Sequence, residues 1–437
     1  MPPVFINMKI TQTFLLTALI GWSTLLSAAI IQVAPGELPA RLAEAQDGDH
    51  LHLLAGEHIG SIVIERSIRL TAEPDAVVDG EGTGSILTVK APDVTVDGLT
   101  LRNAGRLIAE LEAGIFVGRN ADNARILNNR IYARAFGIWL DSSKDSWLEG
   151  NHISGDVSLR SQDRGNGLHL FNVSKATVKN NRVELTRDGI YMDASNNNRL
   201  IGNQLHDQRY GVHYMFSHFN EIAGNRTWGN RTGFALMASH TLHVHGNHAD
   251  GDQNYGFLLN DLKNSTIENN TALNIDHGTS PGTDVRITGA EGKALFLYNA
   301  NSNVIRDNLM ANTAIGVHLT AGSSNNRIYR NNLVNNRSQV MYVATGGSEW
   351  SHDGQGNFWT DYVGWDMDSD GIGDVAHEPN DAVDRLLWTY PMARVLMNSP
   401  AVQLLRWVQR AFPVLRPPGV KDSFPLMRPT RSLEEVS

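Results

Sequence analysis

Met215 and Met237 stand 22 residues apart, and so do His218 and His240. Any fold that repeats with this period sets each pair side by side. Thioether and imidazole suit Cu(I), and methionine is a poor ligand for zinc, calcium or magnesium. His213 shares the repeat that holds Met215, while His169 and Asp193 fall on the two repeats before it. Cysteine is absent, which removes thiolate ligands, disulfides and Cys nucleophiles and suits an oxidising compartment. A chain of this composition that handles copper must use Met and His. Met215, Met237, His213, His218, His240, His169 and Asp193 are therefore the candidate Cu(I) ligands. The plainer reading makes the methionines greasy surface and the imidazoles solvated turns. With 16 histidines in the chain, one stacked pair arises readily by chance.

A second constellation lies near the C-terminus. Asp366, Asp368, Asp370 and Asp374 alternate with other residues around Gly371 and Gly373. Alternating carboxylates followed by glycine wrap oxygen ligands around Ca²⁺, the glycine allowing the sharp bend. The EF-hand pattern is incomplete, because His377 stands where the closing Glu belongs. The expectation is a structural calcium loop of another kind, weighed against an acidic solvated turn.

The elements that must carry these residues are written in the repeat itself. Gly189, Gly211 and Gly233 each open a short apolar run, and Asn203, Asn225 and Asn247 close it 14 residues later. The glycine rhythm extends from Gly114 to Gly316, with wider gaps that place loop insertions at about 154–166 and 274–292. A 22-residue period with three short β-branched runs and no helix-length segment predicts an all-β, right-handed, single-stranded parallel β-helix, in which each coil must stack on its neighbours. Period-two alternation sends Ile190, Met192, Val212 and Tyr214 inward. The intervening Tyr191, Asp193, His213 and Met215 then face outward on a flat sheet. The closing Asn residues form an internal ladder.

Both ends differ from this middle. Lys9, an apolar run from Phe14 to Leu26 and Ser27-Ala28-Ala29 read as a secretory signal over residues 1–29, cleaved near Ala29. Residues 30–106 are expected to form irregular capping coils, 107–345 the regular repeats, and 346–385 a terminal coil with the Asp loop. Residues 386–437 read as an amphipathic and Pro-rich docking tail, with Leu404, Leu405, Trp407, Val408, Phe412 and Phe424 offered to a partner or to the membrane surface, the alternative being that the tail packs along the solenoid as a cap. The net charge of −9 argues against a nucleic-acid partner.

The Gly-Ile/Val and Asn-Asn repeats, the block Gly356-Asn357-Phe358-Trp359 and the loop Gly371-Ile372-Gly373-Asp374 resemble the carbohydrate-binding and sugar-hydrolase repeat family. With the secretory start and the Trp/Pro tail, the whole chain resembles, more narrowly, the NosD family of nitrous oxide reductase maturation proteins. That resemblance implies a periplasmic, non-enzymatic accessory role in denitrification. It also implies partners: an ABC-type permease with its ATPase, a membrane-anchored copper chaperone and nitrous oxide reductase, whose copper–sulfur centre receives transient Cu(I) or sulfur. The chain has no phosphate-binding G-x-x-x-x-G-K-[ST] loop, so ATP hydrolysis belongs to another chain. No metal ligands are carried over from the family.

Two rival classes remain. A polysaccharide lyase or epimerase could stack sugar rings on Phe116, Trp139 and Tyr191 and use Asp141 and Asp193, but the coil of Gly167 separates those carboxylates. A metal-free docking scaffold for the permease would keep the tail and make the His/Met stack incidental.

Overall fold

The computed structural model describes residues 30–279, 286–320, 322–343, 346–381, 383, 384, 388, 390, 392, 399–411 and 419–432. The expected signal segment and Phe412 lie outside them. Within them the chain winds into a parallel β-solenoid whose three long sheets hold 13, 12 and 13 strands. Each coil gives one strand to each sheet, so neighbouring strands are one repeat apart in sequence: Val212 pairs with Ile190 and Phe234, and Ile222 with Leu200 and Val244. The alternation works as read. Ile190, Met192, Val212, Tyr214, Phe234 and Leu236 are fully buried in one continuous core.

Burying backbone at every turn requires partners for it, and short polar side chains supply them. From Asn129 through Asn203, Asn225 and Asn247 to Asn357, each side-chain carbonyl accepts the backbone N–H of its counterpart one coil earlier, at 3.0 Å for Asn203 onto Asn225 and 2.9 Å for Asn225 onto Asn247. The amide group of Asn225 donates in turn to the Leu200 carbonyl at 2.9 Å. A second ladder of hydroxyls, Ser195, Ser217 and Ser239, serves the next corner. The turns themselves run through left-handed backbone, which Asn and Asp tolerate better than most residues, and Asn172, Asn197, Asp261 and Asn264 sit there.

Both ends are closed, the C-terminal one by part of the tail, as one of the two expectations for it had it. At the N-terminal end a seven-residue helix, Leu38–Glu44, with a proline in its first turn, lays the fully buried Leu38 against the open core. The sequence reading held no helix there. At the C-terminal end, Val420–Lys421 pairs with Ser348–Glu349, and Leu426 bridges both Phe358 and Ile372. The buried Asp422 extends the asparagine ladder by accepting the Asn357 backbone N–H at 2.7 Å and the Trp359 indole N–H at 2.8 Å. Residues 419–432 are thus a strap over the last coil, so the expected single docking tail is two things. Phe424 belongs to the cap; its carbonyl accepts the Gly356 N–H at 2.9 Å. The first insertion carries the 3-10 turn Ser161–Asp163, and the second forms an antiparallel ribbon, His277–Thr279 with Arg286–Glu291.

Candidate metal-handling face

The 12-stranded sheet, running from Ile62–Ile64 to Ser338–Val343, carries the Met/His residues on its outward side. Met215 pairs in register with Met237 on one side and Asp193 on the other. One column over, Trp139, His169, Tyr191 and His213 follow each other rung by rung. The expectation of an open, flat face needs correction. Trp139, His169 and His213 are buried and Ala235 fully so, because large neighbours on the same face close over one another. The His169 ring lies 3.7 Å from Trp139 and 4.6 Å from Tyr191, and His213 lies 4.5 Å from Tyr191 and 4.8 Å from Tyr210.

His213 is held by a relay that the sequence reading missed. Its Nδ1 lies 2.9 Å from the carboxylate of Asp188, itself only 1 % exposed. Arg209 grips both oxygens of the same carboxylate, at 2.8 Å and 2.6 Å, sharing one of them with His213. Burial alone would raise Asp188, but the His213 and Arg209 bonds and charges outweigh it and hold the carboxyl below its ordinary range. With Nδ1 committed to Asp188, the imidazole keeps Nε2 for a ligand. A carboxylate behind an imidazole is the arrangement that orients metal-binding histidines. The signal was in the sequence. Asp188 occupies the rung where the next coils carry Tyr210 and Thr232, and a carboxylate there has to be paired.

His169 is neutral. Burial, opposed in part by the Asp188 charge, pushes it down to about 3, and Asn166 contacts its Nδ1 at 3.1 Å. Asp193, half-buried beside Met215, is raised by burial, with His213 pulling the other way. His218 and His240 do come together, with ring centroids 3.8 Å apart and planes 10° apart. The stack, however, sets their lone pairs parallel rather than convergent, and His218 Nδ1 already accepts the His240 backbone N–H at 3.2 Å. Burial, then the His240 neighbour, lowers His218. These two rings offer Nε2 atoms side by side at the corner, not a chelate.

That corner carries a second missed feature. Phe216 and Phe219 occupy the two left-handed turn positions of the coil that holds Met215 and His218. The neighbouring coils place Ala194, Asn197, Ala238 and Thr241 there. A bulky residue in this conformation costs about 1–3 kcal/mol, and such strain concentrates at functional sites. Both rings are more than half exposed. Reading Phe against the small residues at matched turn positions finds them.

In the Asp-rich loop, Asp366, Asp368 and Asp370 each bring one carboxylate oxygen within 4.8 Å of the others. Asp374 does not join them; its carboxylate accepts the Met367 N–H at 2.8 Å. In the helix Pro400–Ala411, Leu404 is 60 % and Trp407 62 % exposed, Leu405 is exposed and Val408 half-buried. Among the described residues no helix is long and apolar enough to cross a membrane.

Fold and face together define a parallel β-solenoid with a Met/His-bearing sheet. A family described as "Right handed beta helix region" matches residues 60–184, and one described as "Periplasmic copper-binding protein (NosD)" matches residues 149–364. A "Probable ABC transporter binding protein NosD" of Pseudomonas aeruginosa is 52 % identical over 383 residues, covering 87 % of this chain and 89 % of the relative. Its namesake in Stutzerimonas stutzeri is 49 % identical over 410 residues, covering 94 % of each. The chain belongs to the NosD family, a periplasmic family. Solved structures share only the fold. The mannuronan C-5 epimerase AlgE6 A-module of Azotobacter vinelandii has a TM-score of 0.54 at 14 % identity, over 70 % of this chain and 88 % of that one. The surface adhesin PfbA of Streptococcus pneumoniae has 0.53 at 10 %, over 71 % and 88 %.

Proposed function

We propose that the chain is exported to the periplasm, with its signal cleaved near Ala29, and there passes Cu(I) during assembly of the copper–sulfur centre of nitrous oxide reductase. It works docked on an ABC-type permease whose ATPase supplies hydrolysis. It takes the ion from a membrane-anchored copper chaperone and is not itself an enzyme. The observation that carries this reading is the buried Asp188–His213 pair, gripped by Arg209, whose imidazole lies on the strand that also bears Met215, in register with Met237. One oriented imidazole on the same face as two thioethers is a soft, low-coordinate donor set for Cu(I) that needs no thiolate. The exposed Phe216 and Phe219 flank it and give a delivering protein an apolar foothold, while Leu404, Leu405, Trp407 and Val408 face the permease. Asp366, Asp368 and Asp370 are proposed to take Ca²⁺ structurally.

The test is an anaerobic titration of the protein with Cu(I) against a chromophoric chelator, alone and in its permease complex. Replacing Met215 and Met237 together by Leu keeps volume and removes sulfur. The double variant is expected to bind at least about tenfold more weakly, or about 1.4 kcal/mol. Unchanged affinity in both settings rejects the site.

A further inference from the structure

The same outward column continues past His213. In register, rung by rung, come Ala235, Leu258, Phe296, His318 and finally Met341 on the last strand of the sheet. At sheet spacing, four rungs put His318 about 19 Å from His213. The residues between are apolar, so nothing on this column links the two positions. His318 and Met341 are direct neighbours on adjacent strands. Both face out, since Val317, Leu319, Val340 and Tyr342 on the same strands point into the core.

His318 is a side chain without an evident structural task. Its Nδ1 is buried and finds no hydrogen-bond partner, a deficit worth about 1–3 kcal/mol that a native protein ordinarily avoids. Burial, then the nearby Lys293 cation, pushes the imidazole down to about 4. Its flank is aromatic, with Phe296 at 4.7 Å. Lys293 is turned to other work: its ammonium group donates to the Glu291 carbonyl at 2.5 Å and lies 5.3 Å from the Tyr255 ring. A cation held this close disfavours a divalent ion more than a monovalent one. A neutral imidazole beside a thioether is a donor set for a soft monovalent metal.

We propose that His318 and Met341 form a second Cu(I) site at the C-terminal end of the same face, an inference that rests on the copper-handling reading above. The edge strand bearing Met341 is contacted by the chain that leads toward the docking helix, where Asn380 donates its amide to the Val340 carbonyl at 2.9 Å. The second site therefore lies at the C-terminal end of the solenoid, and the first lies mid-sheet. The pair gives the face two separate stations for the ion.

Full chain labelled with ¹³C-methyl methionine is titrated with Ag(I), a redox-inert stand-in, and then with Cu(I). Methyl signals are assigned through Met215→Leu, Met237→Leu and Met341→Leu. The Met341 methyl is expected to shift in saturable fashion, and His318→Gln, checked for unchanged melting, is expected to weaken that shift at least about tenfold in affinity. If Met215 and Met237 shift while Met341 stays still, the second site falls and the first reading stands. If Met341 alone shifts, the second site stands and the first falls. If no methionine moves, both fall. A Met341 shift indifferent to His318→Gln overturns the pairing.

Discussion

Asp252 shows how far one residue can depart from its sequence neighbours' logic. It occupies the ladder position that Gln208 and Asn230 fill in the two preceding coils, and its carboxylate accepts the Asn230 backbone N–H at 2.9 Å, the Asn230 amide at 3.0 Å and the Thr227 hydroxyl at 2.7 Å. Complete burial raises it to about 7, with those hydrogen bonds pulling the other way. The folded chain therefore holds a proton that the unfolded chain releases near the ordinary carboxylate value of 3.8. Stability from this group is fully present below that value and is lost as pH rises through about 7. Asp252→Asn keeps the accepting oxygen and removes the ionisation. It is expected to flatten the fall in melting temperature between pH 5 and pH 8, gaining on the order of 2 kcal/mol at the alkaline end. A variant whose melting profile runs parallel to the parent's shows that Asp252 does not ionise in that range.

At the scale of the element, the asparagine ladder and the sheets were legible because both are strictly periodic. A Gly-to-Asn interval repeated three times fixes which residues stack, and Asn225 lies where that reading put it, between Asn203 and Asn247. What was illegible was not periodic. The helix Leu38–Glu44 caps a single open end, so no repeat announces it. The Asp188–His213 contact joins residues 25 apart on neighbouring rungs, visible only when two columns of the face are considered together. The burial of His169 and His213 depends on how large side chains lean across one sheet, which alternation cannot encode. The strap at 419–432 returns to the last coil across the tail, beyond the reach of any local pattern. The ladder itself makes a sharp prediction. Asn225→Ala strips partners at once from the buried Asn203 N–H and Leu200 carbonyl, while the Asn247 carbonyl keeps the backbone N–H of residue 225. At about 1–3 kcal/mol for each orphaned group, the expected loss is about 3 kcal/mol or more. Chemical denaturation measures it, and a loss under about 1 kcal/mol would mean that water replaces the amide.

For the whole molecule, the question is whether the C-terminal region holds the solenoid together or holds a partner, and the structure divides it so that the two can be separated. The strap closes the last coil with Val420 and Asp422 buried, and Thr430 donates its N–H to Asn332 at 2.7 Å. The helix Pro400–Ala411, begun by Ser399 and a proline in its first turn, instead leaves Leu404 and Trp407 exposed. Truncation at residue 400 removes both and cannot tell them apart. Truncation after Pro418 removes only the strap, uncovering the Asn357 N–H and the Trp359 indole. An uncapped solenoid exposes core and strand edges, so this variant is expected to melt lower and self-associate in light scattering. Leu404→Ser with Trp407→Ser touches only exposed side chains. It is expected to leave the melting temperature within about 1–2 °C of the parent, in line with the small effect of most surface substitutions, while abolishing co-purification with the permease. If the double serine variant still co-purifies, the helix is not the docking element. If it melts as low as the strapless chain, the helix belongs to the fold and closure and docking are not divided between strap and helix.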